Sequence, residues 1–444
     1  MTIMEQYRAK LKSPDEAVKL VKDGDWVDYG SNNSFPHILD QALAKRKDEL
    51  GTVYVRGNLI QGPVRVMEED PDMETFVYQT WHCSAYERKK ADQGRAFFIP
   101  QIFRNEAWYI KNFLDIDVAM LSVTPMDKHG YFNLSCGVGT ARAIADKAKV
   151  VIVEVVENMP KILGGMGTTL HISEVDAVVE AGRQPLWIMD PPHPSETDIK
   201  IAKLILPHIV DGATLQLGIG GMPNALGTLI AESDIKDLGM HTELCSDGYL
   251  DLYQAGKLTN KKKQVVPGRG VLGMLFGTQD LYDWADDNQG LAGYPLDWVN
   301  DPYIAGANDN LISINGCIKV DLYGQVSSET VGFRQISGTG GQLDFVDATS
   351  KSKGGKSFLC LPSSKRDKEG KLHSNIVPYF QGDIVTTPRT QAYFIVTEYG
   401  AVNLSGLSTW QRAEALISIA HPDLREDLVE SAKKQKIWLP SNKR

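Results

Sequence analysis

Residues 211–223 read DGATLQLGIGGMP and contain the pattern that decides the fold. An Asp-Gly turn is followed by an alternating stretch, ATLQL, and then by the glycine-rich segment GIGG. Pro223 comes soon after, and proline is favoured in the first turn of a helix. The residues that follow, NALGTLIAES, have a helical pattern. The segment therefore predicts a strand, a glycine loop and a helix, in that order.

The same order of elements occurs earlier, at residues 23–36, which read DGDWVDYGSNNSFP and precede the helix-like run HILDQALAKR. A second pair of matching turns, DKHG at 127–130 and DLYG at 321–324, follows short apolar stretches. In both pairs the later copy lies about 190 residues after the earlier one. Because two short matches share one offset, the sequence predicts an internal duplication.

Short strands rich in valine and isoleucine alternate with helical stretches along the chain. The strand patterns include VVIVEVV at 150–156 and FIVTEYG at 394–400, and WQRAEALISIA at 410–420 is helical. Such alternation is typical of α/β layers built on parallel strands. The expected fold class is α/β, with two related α/β domains of largely parallel sheets.

The expected domain boundary is the proline-rich segment WIMDPPHPSETDIK at 187–200. Proline restricts the backbone on both sides and removes a hydrogen-bond donor, which suits a linker. Ser195 or Thr197 is placed to cap a helix that starts near Asp198. The predicted domains are an N-terminal one at residues 1–190 and a C-terminal one at residues 196–444.

Length and composition limit the class of protein. The chain has 444 residues, too many for one hydrophobic core, and a net charge of -9 that disfavours nucleic acid and anionic lipid as partners. The first residues lack the apolar core of a signal peptide, and no apolar run is long enough for a membrane helix. The five cysteines are widely spaced without a CxxC pair, so we expect a cytoplasmic protein without disulfides or a metal site.

The glycine loop is the strongest chemical feature. Glycines let a backbone approach a ligand closely, and the start of a helix presents N–H groups with partial positive charge. This pattern suits a phosphate or another oxyanion. It is not the dinucleotide fingerprint, because Pro223 replaces the third glycine. The alternative is that the loop is only a turn.

Glu243 lies in the segment HTELCSDG at 241–248, some twenty residues after the glycine loop. A helix and a return strand would bring it back beside that loop. Taken alone, this glutamate is one among many, and its ordinary interpretation is a solvated surface charge. Cys245 is the more obvious nucleophile by type, but nothing beside it pairs a base to it, and the alternative is a small buried side chain.

A third segment, SGTGGQLDF at 337–345, has three glycines in four positions. It predicts backbone pressed against a ligand, with a glycine-rich hairpin as the alternative. Lysines cluster at 261–263 and again at 351, 353 and 356. Such clusters are usually solvated, although in an acidic protein they could contact the phosphates of a nucleotide-like substrate.

Together these segments resemble the class I CoA-transferases, in the acetyl-CoA hydrolase/transferase branch. The resemblance runs from DEAVKLVKDGDWVDYG (15–30) through VEVVENMPKILGG, LQLGIGGMPNALG, HTEL, VDLYGQV, SGTGGQLDF and VTEYG to GLSTWQRAEALISIAHPDLREDL (406–428). The most similar subgroup is that of the butyryl-CoA:acetate CoA-transferases, with the 4-hydroxybutyrate CoA-transferases as cousins.

The resemblance implies an enzyme that moves CoA from a short-chain acyl-CoA to a carboxylate such as acetate, through a glutamyl-CoA thioester. It implies Glu243 as the nucleophile and Asn300 with Gly341 as the groups that hold the acyl oxygen. The implied CoA contacts are Gly218, Ile219, Gly220, Gly221, Met222, Ile318 and Gly341. It also implies CoA and acyl-CoA as substrates, with no tightly bound cofactor and no metal.

The chain departs from the butyryl enzymes in segments that, by analogy, border the acyl pocket. Ser31, Asn32 and Asn33 are polar where those enzymes have a tryptophan-containing segment, and residues 81–89 and 243–251 differ as well. A polar pocket would favour short or hydroxylated acyl groups, whereas a solvated turn would have no such effect. Alternatives are an acyl-CoA hydrolase, a hydroxyacyl CoA-transferase, a nicotinamide-dependent oxidoreductase and a non-catalytic CoA-binding protein. The sequence leaves the acyl group, the acceptor and the oligomeric state open, a homo-oligomer included.

Overall fold

The computed structural model describes residues 1–443, whose contacts divide into two compact units. Unit 1 comprises Met1–Asp190, Glu243–Cys245 and Val271–Val299, and unit 2 comprises the remaining residues from Pro191 onward. The predicted domains at 1–190 and 196–444 stay a prediction, because unit 1 also takes in two short segments of the later half. The nucleophile candidate Glu243 is in one of those segments.

Twenty-four strands are found in the described chain. In its first part they are β1 (Trp26–Ser31), β2 (Val53–Asn58), β3 (Phe76–Thr80), β4 (Phe97–Phe98), β5 (Val118–Val123), β6 (Tyr131–Asn133), β7 (Val150–Val156), β8 (Thr169–His171), β9 (Ala177–Gly182), β10 (Thr214–Leu217), β11 (Gly239–Cys245) and β12 (Gly270–Leu275). In its second part they are β13 (Leu291–Gly293), β14 (Leu311–Gly316), β15 (Lys319–Asp321), β16 (Val326–Ser327), β17 (Thr330–Val331), β18 (Arg334–Gln335), β19 (Lys356–Cys360), β20 (Ser364–Arg366), β21 (Leu372–Ser374), β22 (Ile376–Val377), β23 (Phe394–Thr397) and β24 (Gly400–Asn403).

Sixteen α-helices accompany the strands within residues 1–443. They are α1 (Ile3–Lys10), α2 (Pro14–Ala17), α3 (His37–Ala44), α4 (Arg65–Glu68), α5 (Ala85–Asp92), α6 (Glu106–Phe113), α7 (Val138–Lys147), α8 (Glu196–Ile205), α9 (Gly221–Glu232), α10 (Asp247–Gln254), α11 (Gln279–Ala285), α12 (Leu296–Val299), α13 (Pro302–Gly306), α14 (Gln342–Lys351), α15 (Thr409–Ser418) and α16 (Arg425–Lys434). No helix of this part of the chain is long and apolar enough to cross a membrane.

Unit 1 is built on a seven-stranded sheet in the order β4-β3-β2-β1-β5-β7-β9, with every neighbouring pair parallel. Side chains alternate between its two faces. On β5, Val118 and Met120 pack in one apolar cluster, whereas Ala119 and Leu121 pack in another. The sheet is therefore covered on both faces, which explains why the central strands are continuously apolar.

Unit 2 has a sheet in the order β11-β10-β14-β19-β23-β24. Its first five strands are parallel, and β24 returns antiparallel at the edge. Chain order reverses beside β10, because its neighbours are β11 on one side and β14 on the other. In open α/β sheets, ligands bind at the carboxyl ends of the strands at such a point, and the glycine loop follows β10 there.

The two units repeat one arrangement. The strand order β2-β1-β5-β7-β9 of unit 1 corresponds to β11-β10-β14-β19-β23 of unit 2. The side chains of Asp127 and Asp321 each accept bonds from the backbone N–H groups two and four positions later, at 2.8 to 3.1 Å. The glycines that close these turns, Gly130 and Gly324, have φ values of 91° and 88°. These findings confirm the predicted α/β fold class with related halves.

Candidate active site

The glycine loop connects β10 to α9 in unit 2. The Gly218 N–H donates to the carbonyl oxygen of Ile314 on β14 at 2.8 Å, and Gly220 has a φ of 128°, which favours glycine. No side chain of the described residues caps α9, so its first backbone N–H groups face the loop. Ile219 is 50% exposed, while Met222 is buried. The loop thus has the geometry that binds an oxyanion at a helix start.

The strand after α9 returns beside the loop, as the sequence predicts. β11 is parallel to β10, with Thr214 opposite Gly239, so the carboxyl ends of both strands lie at one edge of the sheet. His241 and Thr242 on β11 are fully buried, and the His241 ring contacts the side-chain amide of Asn308 at 3.3 Å. Glu243 is the next residue along this strand, at the point where the chain passes into unit 1.

Within unit 1, the neighbours of Glu243 are mostly apolar. Leu244 packs against the cluster of Phe103, Met274 and Leu296. A Cβ atom added to Gly273 on β12 would lie 3.2 Å from the backbone oxygen of Glu243, so the two strands approach closely. The Glu243 side chain itself is partly exposed. Cys245 is fully buried, which agrees with the structural interpretation of this cysteine and removes it as a nucleophile candidate.

The predicted oxyanion donors Asn300 and Gly341 lie at the start of one helix in unit 2. Gly341 immediately precedes α14, and Gly340 before it has a φ of 57°. The Asn300 side chain is fully buried, and its Nδ2 donates to Asp344, in the first turn of α14, at 3.1 Å. The hairpin alternative for residues 337–345 is therefore wrong, because the segment is a loop that starts a helix.

Ile318 lies at the same edge of the unit 2 sheet as the glycine loop. It follows the end of β14, the strand that neighbours β10, and its N–H donates to Ser327 at 2.8 Å. The end of α14 lies at the opposite edge, because the Lys353 carbonyl accepts from Asn310, just before β14 begins. The start of α14, with Gly341, is thus at the carboxyl edge. The predicted unit 2 residues are gathered at that edge.

Lys263 differs from the solvated loops expected from sequence, whereas Lys261, Lys262, Lys351 and Lys353 are exposed as expected. Lys263 is 4% exposed, its Nζ donates to the Arg269 carbonyl at 2.7 Å, and burial lowers its pKa to about 7. Lys351 forms an ion pair with Asp347 one turn earlier in α14. These contacts do not bring either side chain to the glycine loop. They therefore do not support the suggested contact of the lysines with phosphates.

The polar segment Ser31–Asn33 is buried, so its interpretation as a solvated turn is wrong. The Asn33 side chain is occupied, because it bonds to the backbone of Trp187 at 2.8 Å and to the hydroxyl of Tyr282 at 2.8 Å. Asn32 differs, since its Oδ1 has no hydrogen-bond partner in residues 1–443 and its φ is 48°. Asn32 is thus the asparagine of this segment that keeps an unpartnered hydrogen-bond acceptor.

Sequence reasoning missed Glu106, the first residue of α6. It is 2% exposed, and neither carboxyl oxygen has a hydrogen-bond partner in the described chain. Burial raises its pKa well above the ordinary value, and the charges of Asp28 and Glu243 raise it further. The segment FRNEAWYI around Glu106 has no motif, and only the unusual residue type at a buried position distinguishes it.

No group of three or more histidine, cysteine, aspartate or glutamate side chains within residues 1–443 is arranged to hold a metal ion.

Profiles of the acetyl-CoA hydrolase/transferase N-terminal and C-terminal domains match residues 1–190 and 277–432.

The relatives cover the whole chain. It is 47% identical to the butyryl-CoA:acetate CoA-transferase of Anaerostipes caccae, over 100% of both chains. It is 37% identical to the 4-hydroxybutyrate coenzyme A transferase of Clostridium kluyveri, over 97% of this chain and 99% of the other. The crystal structure of RipA from Yersinia pestis superimposes with a TM-score of 0.90 at 35% identity, over 98% and 100% of the chains. The chain therefore belongs to the acetyl-CoA hydrolase/transferase family.

Proposed function

We propose that the protein is a CoA-transferase that moves CoA from a short-chain acyl-CoA of the butyryl type to a carboxylate such as acetate. The observation that carries this proposal is the position of Glu243 near the carboxyl end of β11, a strand that pairs in parallel with β10. Full-length identity with CoA-transferases supports the reaction class. Both substrates are small molecules, and the free cysteines of the described chain suit a cytoplasmic enzyme.

The proposed nucleophile is the Glu243 carboxylate. It attacks the thioester carbonyl, which forms a mixed anhydride and releases the CoA thiolate. The thiolate then attacks the glutamyl carbonyl, which gives a glutamyl-CoA thioester and releases the first acid as a carboxylate. A second carboxylate reverses both steps, so the exchange balances without a redox step. Glutamate is ordinarily ionised at pH 7, and the attack therefore needs no separate base.

Asn300 and Gly341 are proposed to stabilise the oxyanion that forms at each attack. Asn300 carries an amide with two N–H donors, one of which bonds to Asp344. Gly341 offers a backbone N–H at the start of α14, where the helix dipole also favours negative charge. One such donor typically contributes ~3 kcal/mol to the transition state.

The CoA portion is proposed to bind at the carboxyl edge of the unit 2 sheet. Gly218, Ile219, Gly220, Gly221 and Met222 offer backbone contacts at the start of α9, and Ile318 and Gly341 lie at the same edge. CoA acts here as a substrate and leaves with the product.

The test is covalent trapping of the intermediate. Incubation with butyryl-CoA followed by borohydride should reduce the thioester and change the mass of the peptide that contains Glu243. A modification at Cys245 in place of Glu243 would overturn the assignment. Cys245→Ala is the matched control, since this buried side chain should be dispensable for trapping.

Acceptor dependence separates transfer from hydrolysis, the main alternative on the same fold. A transferase consumes acyl-CoA in proportion to added acetate and forms acetyl-CoA. Steady acyl-CoA consumption without any added carboxylate would instead favour the hydrolase.

A further inference from the structure

Four polar side chains line the carboxyl edge of the unit 1 sheet. The strands β1 to β4 are adjacent and parallel, so their carboxyl ends lie at the same edge. One polar residue follows or ends each of them. These residues, which we call the edge row, are Asn32, Asn58, His82 and Gln101.

The edge row retains hydrogen-bonding groups without partners. Both side-chain amide atoms of Asn58 and of Gln101, Oδ1 of Asn32 and Nδ1 of His82 are buried and have no partner within residues 1–443. Asn58 is 1% exposed and Gln101 is 6% exposed. Because a buried polar group without a partner destabilises the fold, such a concentration indicates a place where a polar ligand supplies the partners.

Glu106 joins this row through its own segment. Phe103, three residues earlier, contacts the His82 ring, with centroids 5.8 Å apart. Phe103 also packs in the cluster that includes Leu244, the residue after Glu243. Phe103 therefore connects the segment that contains Glu106 with the edge row on one side and with the neighbour of Glu243 on the other. Both carboxyl oxygens of Glu106 are buried without a hydrogen-bond partner in the described part of the chain.

The charges around Glu106 favour its neutral form. Burial raises its pKa well above the ordinary value, and the negative charges of Asp28, Glu243 and Asp297 raise it further. Of these three carboxylates, Asp28 pairs with Arg56 at 3.5 Å. Burial and these charges therefore favour the protonated carboxyl group over the ionised one.

A neutral carboxyl group can donate its O–H to a carboxylate, in a short and strong bond. CoA transfer creates such a partner, because the negative charge moves from Glu243 to the released acid when the glutamyl-CoA forms. The proton of Glu106 is not consumed in any step. The O–H of Glu106 therefore remains available to bind the carboxylate of a free acid while Glu243 carries CoA as a thioester.

We propose that Glu106 donates its O–H to the carboxylate of the free acid substrate, and that the amide of Asn58 completes this carboxylate subsite in unit 1. The inference rests on the proposed function and adds the group that recognises the acid. The ligand class is a short monocarboxylate, acetate as acceptor and butyrate as leaving acid.

The test compares Glu106→Leu, which has a similar size but no donor, with Glu106→Gln, which keeps an N–H donor and cannot ionise. Transfer from butyryl-CoA to acetate gives the KM of each substrate and kcat. Glu154→Gln is the matched control, since Glu154 is also a buried unit 1 carboxyl but accepts bonds from the backbone of Ile38 and Leu39 at 3.0 Å.

For Glu106→Leu, we expect the KM of acetate to rise at least about tenfold, the loss typical of a hydrogen bond to a charged group. The KM of butyryl-CoA should change little, and trapping at Glu243 should persist. Glu106→Gln should restore the acetate KM to within about threefold of the unchanged enzyme. In the unchanged enzyme, ionisation of Glu106 at alkaline pH should weaken acetate binding. Glu106→Gln should not show this decline, because an amide does not ionise. Glu154→Gln should leave both KM values unchanged.

An unchanged acetate KM in Glu106→Leu, or an acetate KM in Glu106→Gln as high as in Glu106→Leu, would overturn the inference. If Glu106→Leu does not fold, the alkaline profile of Glu106→Gln decides, and persistence of the wild-type decline would also overturn it. Failure of the unchanged enzyme to form glutamyl-CoA is a different result, because it would contradict the proposed function itself.

Discussion

The ends of two corresponding strands of the repeat, β2 and β11, carry different chemistry. Trp26 on β1 lies opposite Tyr54 on β2, and in the second repeat Thr214 on β10 lies opposite Gly239 on β11. Asn58 follows Tyr54 on β2 at the same spacing as Glu243 follows Gly239 on β11, so Asn58 is the counterpart of Glu243. Corresponding positions of the two repeats thus hold a neutral amide at the end of β2 and an ionisable carboxyl near the end of β11.

The loops after β1 and β10 differ in the same way. A Cβ atom on Gly30 would lie 2.9 Å from Leu121, and the following residues form a buried turn at Asn32–Ser34. After β10, a Cβ atom on Gly220 would meet nothing within 4 Å, and Ile219 is half exposed. The first loop is packed and the second is accessible. The two repeats therefore share the arrangement of the sheet. They differ at its carboxyl edge in the exposure of the loop and in the charge of the side chain at the strand end.

The largest expected effect comes from Glu243→Asn, which places on β11 the side chain that β2 carries at Asn58. Loss of a nucleophile costs on the order of 10⁴-fold or more in kcat. We therefore expect transfer from butyryl-CoA to acetate to fall by at least that factor, with no trapped glutamyl-CoA. Steady-state transfer and peptide mass measure both effects.

Two variants calibrate that result. Glu243→Asp withdraws the carboxylate by roughly 1.5 Å, and a misplacement of this size costs on the order of 100-fold. Cys245→Ala should retain activity, because the thiol is buried. Activity near the wild-type level in Glu243→Asn would show that Glu243, near the end of β11, is not the reacting group.

The next largest effect concerns the oxyanion donor of unit 2. Asn300→Ala removes the amide beside α14, and loss of one such donor costs ~100- to 1000-fold in kcat. CoA binding, measured by calorimetry, should be nearly unchanged. Asn375→Ala is the control, because Asn375 is a buried amide of the same unit that donates to the Pro362 carbonyl. Equal losses of kcat in the two variants would contradict the assigned role.

The pH dependence of stability should distinguish the units. Burial raises the pKa of Glu154 in unit 1 from its ordinary value to about 8, and that of Asp40 to about 7. The folded state therefore binds these protons more tightly than the unfolded state. Their contribution to stability is fully present below about pH 4 and is lost as pH rises through about 7 to 8.

We expect the thermal midpoint to fall between about pH 5 and pH 8 by the equivalent of a few kcal/mol. Glu154→Gln should flatten this decline, since the amide cannot ionise. Hydrogen exchange resolved by peptide should locate the loss in unit 1. A decline of the same slope in Glu154→Gln would contradict this source of the pH dependence.

The smallest expected effect tests the packed loop of unit 1. The Asn32 backbone has a φ of 48°, so Asn32→Gly removes the side chain without adding backbone strain. If Oδ1 receives a substrate hydroxyl, the efficiency of 4-hydroxybutyryl-CoA relative to butyryl-CoA should fall about 3- to 10-fold. Transfer from acetyl-CoA through hexanoyl-CoA provides the control series. Efficiency that climbs with chain length in the unchanged enzyme, with hydroxylated donors poorest, would contradict a polar pocket.

Local patterns predicted most of the scaffold. Ser195 caps α8 through a reciprocal bond with Asp198, as its position after three prolines suggested. The glycine loop does open a helix, and the strand at 150–156 is β7. These features depend on residues close together in the chain, so sequence spacing is enough to predict them.

The amino-acid sequence by itself determined the α/β alternation, the duplication and the segment that contains Glu243. The tertiary structure decided which polar groups of that scaffold find partners. Asn33 and Asn32 are adjacent and identical in type, yet Trp187 satisfies the first and no described residue satisfies the Oδ1 of the second. Glu106 stands out for the same reason. Hydrogen-bond partners and local charge come from residues far apart in the chain, and only folding brings them together.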